Sequence, residues 1–246
     1  MQKKFLSALF FGLLAISIVS AGAVFGAKGA PAKQKESSLQ KVDVPLNLAI
    51  LIQDDVVSKV ANEIGITKEF IRSLPPGSRV MVGYITAGSL QVRAPFTDDL
   101  EAATKALRIP ISNTSAAPYN PYVEVIEALK KFDTNSKNRN AILLISDGLD
   151  TSRGFDSTSA GYTLDLERAI KESQKRNVAV YSFFAPTVGL TSNSFRAASY
   201  GQSSLSRLAK ETGGQAYFQG STGFVTFDPY FNQLRQTLNE KYGRAG

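Results

Sequence analysis

The chain has 246 residues, of which 43% are hydrophobic and 20% charged, and its formal net charge is +7. These values are those of an ordinary globular protein with enough apolar residues for a sizeable core. The sequence contains no cysteine and no histidine, which excludes disulfide frameworks, zinc fingers, thiol catalysis and Ser-His-Asp triads.

The N-terminal segment has the pattern of a secretory signal peptide. Two lysines precede an apolar stretch over residues 5–19, and small residues follow at positions 21–23. This order predicts a signal peptide over residues 1–23, with an uncleaved membrane anchor as the alternative. Residues 24–43 are rich in Lys, Ala, Gly, Gln and Ser and predict a flexible linker. We therefore expect a secreted or periplasmic protein with one folded domain over residues 44–246, and no membrane span once the signal is cleaved.

Strand and helix patterns alternate along that domain. Short apolar runs predict strands at residues 46–52, 79–86, 90–96, 141–145, 178–184 and 215–218. Helical periodicity predicts helices at residues 54–74, 97–107, 122–132, 166–173, 203–212 and 228–242. The second and third strands are joined by a link too short for a parallel return, so they must form an antiparallel hairpin. The remaining alternation predicts a doubly wound α/β domain with a mostly parallel sheet.

Two segments rich in Ser, Gly and Thr, residues 156–161 and 188–202, are predicted to be long loops near the presumed site. Loops of that length inside a compact domain are often binding loops. Aromatic residues are frequent nearby, and local packing is their favoured interpretation, with an aromatic rim for protein contact as the alternative. They are Phe195, Tyr200, Tyr217, Phe218, Phe224, Phe227 and Tyr230.

Two predicted strands end in acidic turns, at residues 53–58 and 146–150. Ligands of open α/β sheets bind beyond the carboxyl ends of the strands, where the strand order reverses. If these strands are neighbours, Asp54, Ser58 and Asp147 would offer oxygen ligands of the kind that Mg²⁺ prefers. Taken singly, each turn is better explained by helix capping or by a simple Asp-Gly turn than by a metal site.

These pieces, in this order, resemble von Willebrand factor type A (VWA) domains, and most closely the secreted bacterial stand-alone members. The resemblance is carried by residues 54–58, the hairpin at 80–96, the strand and turn at 143–148 and the late segment at 205–218. It implies a six-stranded sheet of order 3-2-1-4-5-6, with strand 3 antiparallel and helices on both faces. It also implies a metal-ion-dependent adhesion site above strands 1 and 4, with Asp54, Ser58 and Asp147 among its ligands.

The sequence departs from that family pattern at two ligand positions. Val56 stands where the family has a coordinating serine. Tyr119 stands in the best register where the family has a threonine, although Thr114, Ser115 or Asn120 could supply an oxygen there. These losses predict a degenerate metal site, for which Mg²⁺ is a possible cofactor and none is the favoured expectation.

Without a cation, Asp54 and Asp147 would repel each other. One carboxyl could be protonated, or a cation such as Lys59 or Arg153 could pair with it.

We therefore expect an exported VWA-like module that binds a protein or a surface polymer through loops at the carboxyl ends of the strands. Candidate contact residues are Asp55, Tyr119, Asn120 and Asp150. The basic residues form no run, so a nucleic-acid partner is not expected. A working Mg²⁺-dependent adhesion domain is the first alternative. A metal-dependent phosphatase is the second, but its acid partner would stand at position 56, which is valine, so an enzyme is not expected.

Overall fold

A computed structural model describes residues 45–113, 119–133, 137–155, 163–218 and 226–242, without the side chains of Ser58 and Tyr242. The predicted signal peptide, the predicted linker and the segment 156–161 lie outside the described residues, as do Thr114, Ser115 and Phe224.

The six strands form one sheet in the order β3-β2-β1-β4-β5-β6. The strands are β1 (Leu46–Gln53), β2 (Arg79–Thr86), β3 (Ser89–Thr97), β4 (Arg139–Ser146), β5 (Val178–Phe184) and β6 (Ala216–Tyr217). Only β3 is antiparallel to its neighbour. This confirms the predicted strand order, including the hairpin. The order reverses at β1, between β2 and β4, so a crevice is expected at the carboxyl ends of β1 and β4.

Seven α-helices are present among the described residues. They are α1 (Glu63–Arg72), α2 (Leu100–Ala106), α3 (Pro121–Leu129), α4 (Leu164–Lys175), α5 (Leu190–Asn193), α6 (Phe195–Glu211) and α7 (Asp228–Tyr242). Polar side chains cap α2, α3, α4 and α6. Those of Asp99, Asn120, Thr163 and Ser194 each accept a hydrogen bond from an N–H in the first turn of the helix.

The sheet separates two apolar layers. Every residue of β1 is buried, as expected for a central parallel strand covered on both sides. Leu48, Ile50 and Ile52 pack into a layer that includes residues of α1, α2 and α7. Ala49 and Leu51 pack into the opposite layer, which includes residues of α3, α4 and α6. Each fully buried Leu or Ile contributes about 1.5–3 kcal/mol, so β1 anchors the carboxyl edge firmly.

Most of the late aromatic residues are packed, as the favoured interpretation had it. The Phe183 ring lies 4.9–5.5 Å, centroid to centroid, from the rings of Tyr217, Phe227, Tyr230 and Phe231. Phe195, at the start of α6, and Phe218 are exceptions, because they are 75% and 42% exposed.

Two predicted boundaries are wrong. The helix predicted from Asp54 is replaced by an irregular turn and a 3₁₀ helix, Ser58–Asn62, before α1 begins. The cause is tertiary, because the N–H of Val57 donates to the carbonyl of Pro186 and its turn is held away from helical geometry. Residues 188–202, predicted to be a long loop, instead hold α5 and the first turns of α6. Ser194 there is a helix cap rather than a loop residue.

Candidate functional site

The acidic turn after β1 is bonded to β2 and to the segment that follows β5. The N–H of Asp54 donates to the carbonyl oxygen of Ile85 at 2.9 Å, which extends the pairing of β1 with β2. The carbonyl of Asp55 accepts from the N–H of Val188 at 2.9 Å. The turn therefore holds the Asp54 side chain at the centre of the carboxyl edge, and the 3₁₀ helix begins from there at Ser58.

The carboxylate of Asp54 forms a two-bond ion pair with Arg108. Arg108 Nη1 donates to Asp54 Oδ1 at 2.6 Å, and Nη2 donates to Oδ2 at 2.7 Å. The side chain of Asp54 is 3% exposed and that of Arg108 is 28% exposed. The hydrogen bonds to Asp54 raise the pKa of the Arg108 guanidinium. Parallel bonds of this kind are the strongest form of an arginine–carboxylate contact, so Asp54 has its counter-ion within the protein.

Tyr84 of β2 holds Arg108 in place. Its hydroxyl donates to the carbonyl of Arg108 at 2.6 Å and accepts from the N–H of Arg108 at 2.8 Å. The guanidinium carbon of Arg108 lies 4.0 Å from the centroid of the Tyr84 ring, within cation–π range. Because Tyr84 is a fully buried residue of β2, the sheet itself positions the arginine.

Residues 107–113, here called the capping segment, close over the acidic turn. The N–H of Ile111 donates to Asp54 Oδ1 at 3.0 Å, and the N–H of Ser112 donates to the carbonyl of Asp54 at 2.9 Å. Ser112 Oγ donates to the carbonyl of Val56 at 2.7 Å. Ser112 has a φ of 53°, which is uncommon for a residue other than glycine. The three hydrogen bonds offset that strain and fix the segment on the site.

The side chain at position 56 is apolar and packs in the core. The side chain of Val56 is fully buried within the apolar layer that includes Val60 and Ile52. Its backbone forms an isolated antiparallel bridge with Thr187. A valine at this position therefore contributes packing in place of a ligand oxygen.

The second acidic group, Asp147, is buried and fully hydrogen-bonded. Its Oδ2 accepts from the hydroxyls of Thr187 at 2.8 Å and Thr191 at 3.2 Å, and its Oδ1 accepts from the N–H of Leu149 at 3.0 Å. Burial raises the pKa of the Asp147 carboxyl, and these hydrogen bonds oppose the rise. Gly201 of α6 packs directly on the backbone carbonyl of Asp147, since an added Cβ would come within 1.8 Å of that oxygen.

Asp55 lies between the two other carboxyl groups. Burial, followed by the charge of Asp147, raises the pKa of Asp55 to about 7, and Asp54 adds a smaller effect in the same direction. Gln53 Nε2 donates to Asp55 Oδ1 at 2.9 Å. Gln53 also accepts from Ser146 Oγ at 2.5 Å. The glutamine thus ties the turn after β1 to the end of β4, and the predicted meeting of the two acidic turns is present.

The other candidate contact residues serve local structure at this edge. Asn120 caps α3 and donates from Nδ2 to Asp165 at 2.9 Å. Tyr119 is buried, and its backbone pairs with Thr151 through the N–H of each residue. Burial raises the pKa of Tyr119 to about 12. Asp150 accepts from the N–H and hydroxyl of Ser152, and its side chain is only partly buried.

These groups, as placed, do not match the oxygen ligand set of a divalent cation. Mg²⁺ requires near-octahedral oxygen ligands, some of them water. Both oxygens of Asp54 already face Arg108, both oxygens of Asp147 accept protein hydrogen bonds, and Val56 supplies no oxygen. Within the described ranges, no group of three or more His, Cys, Asp or Glu side chains is arranged to hold a metal ion.

A shallow cleft and two exposed isoleucines lie beside the ion pair. The cleft has a volume of about 290 Å³, and its lining includes Asp54, Thr86, Gln91, Ile111 and Tyr119. Ile109 and Ile111 of the capping segment are 59% and 66% exposed. Both side chains belong to a segment whose backbone is fixed on the acidic turn, so they are presented to solvent on a rigid support.

Sequence reasoning missed Arg108 and proposed Lys59 or Arg153 as the counter-ion. A topological signal was available. Because β3 runs antiparallel, α2 starts at the opposite edge and returns the chain to the carboxyl edge, so the first residues after α2 must lie at the site. Thr187 and Thr191 were also missed, because they follow β5 and gave no acidic signal.

Solved structures with the same fold come from several sources. An aerotolerance-related membrane protein from Bacteroides fragilis is similar over 80% of this chain and 99% of its own, with 16% identity and a TM-score of 0.53. The conserved hypothetical protein BatB from Bacteroides thetaiotaomicron is similar over 80% of this chain and 98% of its own, with 14% identity and a TM-score of 0.53. The VWA domain of SpRpn10 is similar over 80% of this chain and 95% of its own, with 15% identity and a TM-score of 0.43.

At these identities the likeness concerns the fold alone. The sheet order and its one antiparallel strand are those that the VWA resemblance implies, so the fold is VWA-like. No family model matches the sequence, and no curated protein matches it. Among the described residues, no helix has both the length and the apolar content that crossing a bilayer requires.

Proposed function

We propose that this protein is an exported VWA-like module that binds a protein partner at the carboxyl edge of its sheet without a metal ion. The observation that carries the proposal is the ion pair of Arg108 with Asp54. The guanidinium of Arg108 neutralises the carboxylate of Asp54. The resemblance to VWA domains implies that this carboxylate would otherwise hold a metal ion. Partner recognition then depends on shape and apolar contact at this edge.

The capping segment is the proposed contact surface. Exposed apolar side chains on a rigid support bind with little loss of conformational entropy. Ile111 lines the cleft, which could receive one side chain of the partner, and Ile109 is exposed two residues earlier in the same segment. Buried apolar anchors of this kind dominate binding energy at interfaces. Burial of an isoleucine contributes about 1.5–3 kcal/mol.

A comparison of bait proteins tests this surface. The wild-type domain, an Ile109→Ser/Ile111→Ser variant and a Val92→Ser control on the edge strand are used to retain envelope proteins in EDTA and in Mg²⁺. Val92 is also exposed but lies outside the capping segment. We expect one protein retained by the wild-type and control baits in both buffers, and lost with the isoleucine variant. Retention that is unaffected by the isoleucine variant would remove this surface from the proposal.

Cation-dependent adhesion is the second candidate, favoured by the clustering of Asp54, Asp55 and Asp147. Thermal unfolding separates the two candidates, because a ligand that binds only the folded state raises the melting temperature. We expect no difference between EDTA and millimolar Mg²⁺ or Mn²⁺. A rise with cation that disappears in Asp54→Asn would support adhesion and refute the metal-free proposal.

Export and the lack of catalysis belong to the same proposal. Export is supported by the sequence of residues 1–23 and is tested by the intact mass of the protein from the periplasm or medium. We expect a mass that corresponds to loss of about 23 residues.

For catalysis, Asp54 would be the nucleophile of a phosphatase, and its two oxygens are occupied by Arg108. We expect no turnover of a generic phosphate ester.

A further inference from the structure

A basic pocket lies at the opposite edge of the sheet, where the parallel strands begin. It has a volume of about 650 Å³, and four of the ten residues that line it are cationic. They are Lys137, Arg139, Arg176 and Lys241, and three asparagines, Asn138, Asn140 and Asn177, add amide groups. None of the described lining residues is acidic. This contrasts with the carboxyl edge, which holds Asp54, Asp55, Asp147 and Asp150.

Hydrogen bonds hold two of the asparagines and Lys241 in position. Asn140 Oδ1 accepts from Asn47 Nδ2 at 2.9 Å, and Asn138 Nδ2 donates to the carbonyl of Gly77 at 2.7 Å. Lys241 Nζ donates to the carbonyl of Gly213, so the end of α7 is attached to the end of α6 across the pocket. A protonated lysine has three donors, and this contact uses one of them.

Helix dipoles do not account for all of this positive charge. The carboxyl ends of α4, α6 and α7 meet at the pocket, and each carries about half a negative charge. Together these ends amount to about −1.5, against four full positive charges. Glu172 lies 3.5 Å from Arg176 and balances part of one more charge. The lining thus has more formal cationic charge than the helix ends supply in negative charge, and a phosphate group carries about −1.5 to −2 charges near neutral pH.

We propose that this pocket binds a phosphate group, with Lys137, Arg139 and Lys241 supplying charge and donors. Arginine and lysine together with neutral amides form the donor set that suits a tetrahedral anion with several acceptor oxygens. The phosphate can belong to a soluble molecule or to a phospholipid headgroup. A lipid source is sterically reasonable, because Leu46 pairs in register with Arg139 and the chain enters the domain at this same edge. The proposal is independent of the partner surface at the carboxyl edge.

The test titrates inorganic phosphate into the folded protein, with chloride keeping the ionic strength constant, and follows backbone amide NMR shifts. Lys137→Gln/Arg139→Gln is the pocket variant, since both side chains are exposed and neither is part of the core. Lys105→Gln/Lys171→Gln is the control, because it removes the same charge from exposed positions on α2 and α4. We expect saturable shifts around residues 137–140, 176–177 and 212–213, with affinity at least fivefold weaker in the pocket variant and within twofold of wild type in the control.

Vesicles identify the source of the phosphate. Co-sedimentation is measured with phosphatidylglycerol vesicles and with phosphatidylcholine vesicles as a neutral reference. Loss of phosphatidylglycerol binding in the pocket variant alone supports a headgroup. Saturable phosphate binding without pocket-dependent vesicle binding supports a soluble ligand. Absence of both, or equal weakening in the pocket and control variants, refutes the proposal and leaves these cations as partners of helix ends.

Discussion

Removal of Arg108 is the sharpest test of the internal ion pair. In Arg108→Met, the hydrocarbon stem stays similar in length, but Asp54 keeps only the N–H of Ile111 as a donor to its carboxylate. Loss of one partner from a buried pair costs about 3–5 kcal/mol. Because the side chain of Arg108 is 28% exposed, water can enter where the guanidinium was and solvate part of the Asp54 carboxylate. We therefore expect the free energy of unfolding to fall by about 3 kcal/mol.

The reverse change should cost less. In Asp54→Asn, the amide oxygen can still accept from Ile111, and the partly exposed guanidinium can turn to water, so we expect a loss of about 1 kcal/mol. The double variant should lose about 2 kcal/mol, less than Arg108→Met alone, because it leaves no buried charge uncompensated. The order of the three losses, more than their size, identifies an uncompensated buried carboxylate as the cause.

The assay is urea unfolding at pH 7, with the midpoint and slope fitted for each variant. Arg72→Met is the matched control. Arg72 makes a similar two-bond pair with Glu101, but both side chains are about half exposed, so its midpoint should not move. The reasoning fails if Arg108→Met leaves the midpoint unchanged, or if the double variant is less stable than Arg108→Met.

Four further substitutions test the packing, the hydrogen bonds and a buried carboxyl group of the domain. Gly201→Ala should lower the free energy of unfolding by about 3 kcal/mol, because its Cβ would overlap the carbonyl of Asp147. Gly65→Ala in α1, where a Cβ meets nothing within 4 Å, should raise it by about 0.5–1 kcal/mol, and calorimetry compares both. Tyr84→Phe removes both hydrogen bonds to the backbone of Arg108 and should cost about 2 kcal/mol in the same urea assay; no loss would mean that the hydroxyl does not hold the arginine. Burial raises the pKa of Glu124 from 4.5 to about 7, so the folded state takes up a proton that the unfolded chain releases, and wild-type stability should fall as pH rises from about 4.5 to 7. Glu124→Gln should therefore be more stable than wild type at pH 8, by at most about 3 kcal/mol, and equal to it near pH 4; a difference that does not depend on pH would exclude this carboxyl as the cause.

The sheet could be predicted because its signals are local. The runs at residues 79–86 and 178–184 have the bounds of β2 and β5, since β-branched and aromatic residues there are buried on both faces. The short link after β2 permitted only an antiparallel return. The first wrong boundary lies where the chain is shaped by a distant partner, because the N–H of Val57 donates to Pro186. The second lies in a segment whose composition is typical of a loop, although Ser194 caps a helix there.

The site could be predicted only in outline, because its central contact joins residues 54 positions apart in the sequence. The two acidic turns were found from the strand ends, and the missing oxygen at position 56 was read directly from the sequence. The counter-ion of Asp54 depended on where α2 ends, and on a tyrosine whose hydroxyl binds the backbone of Arg108. The basic pocket was harder to predict, since its four cations come from three separate segments of the chain. Each of those cations, considered singly, is only an ordinary residue at a helix or strand end.

Charge in this domain is therefore organised by topology, with carboxylates where the parallel strands end and cations where they begin. That separation allows the two edges to bind different partners, and the two sets of variants test each edge without disturbing the other.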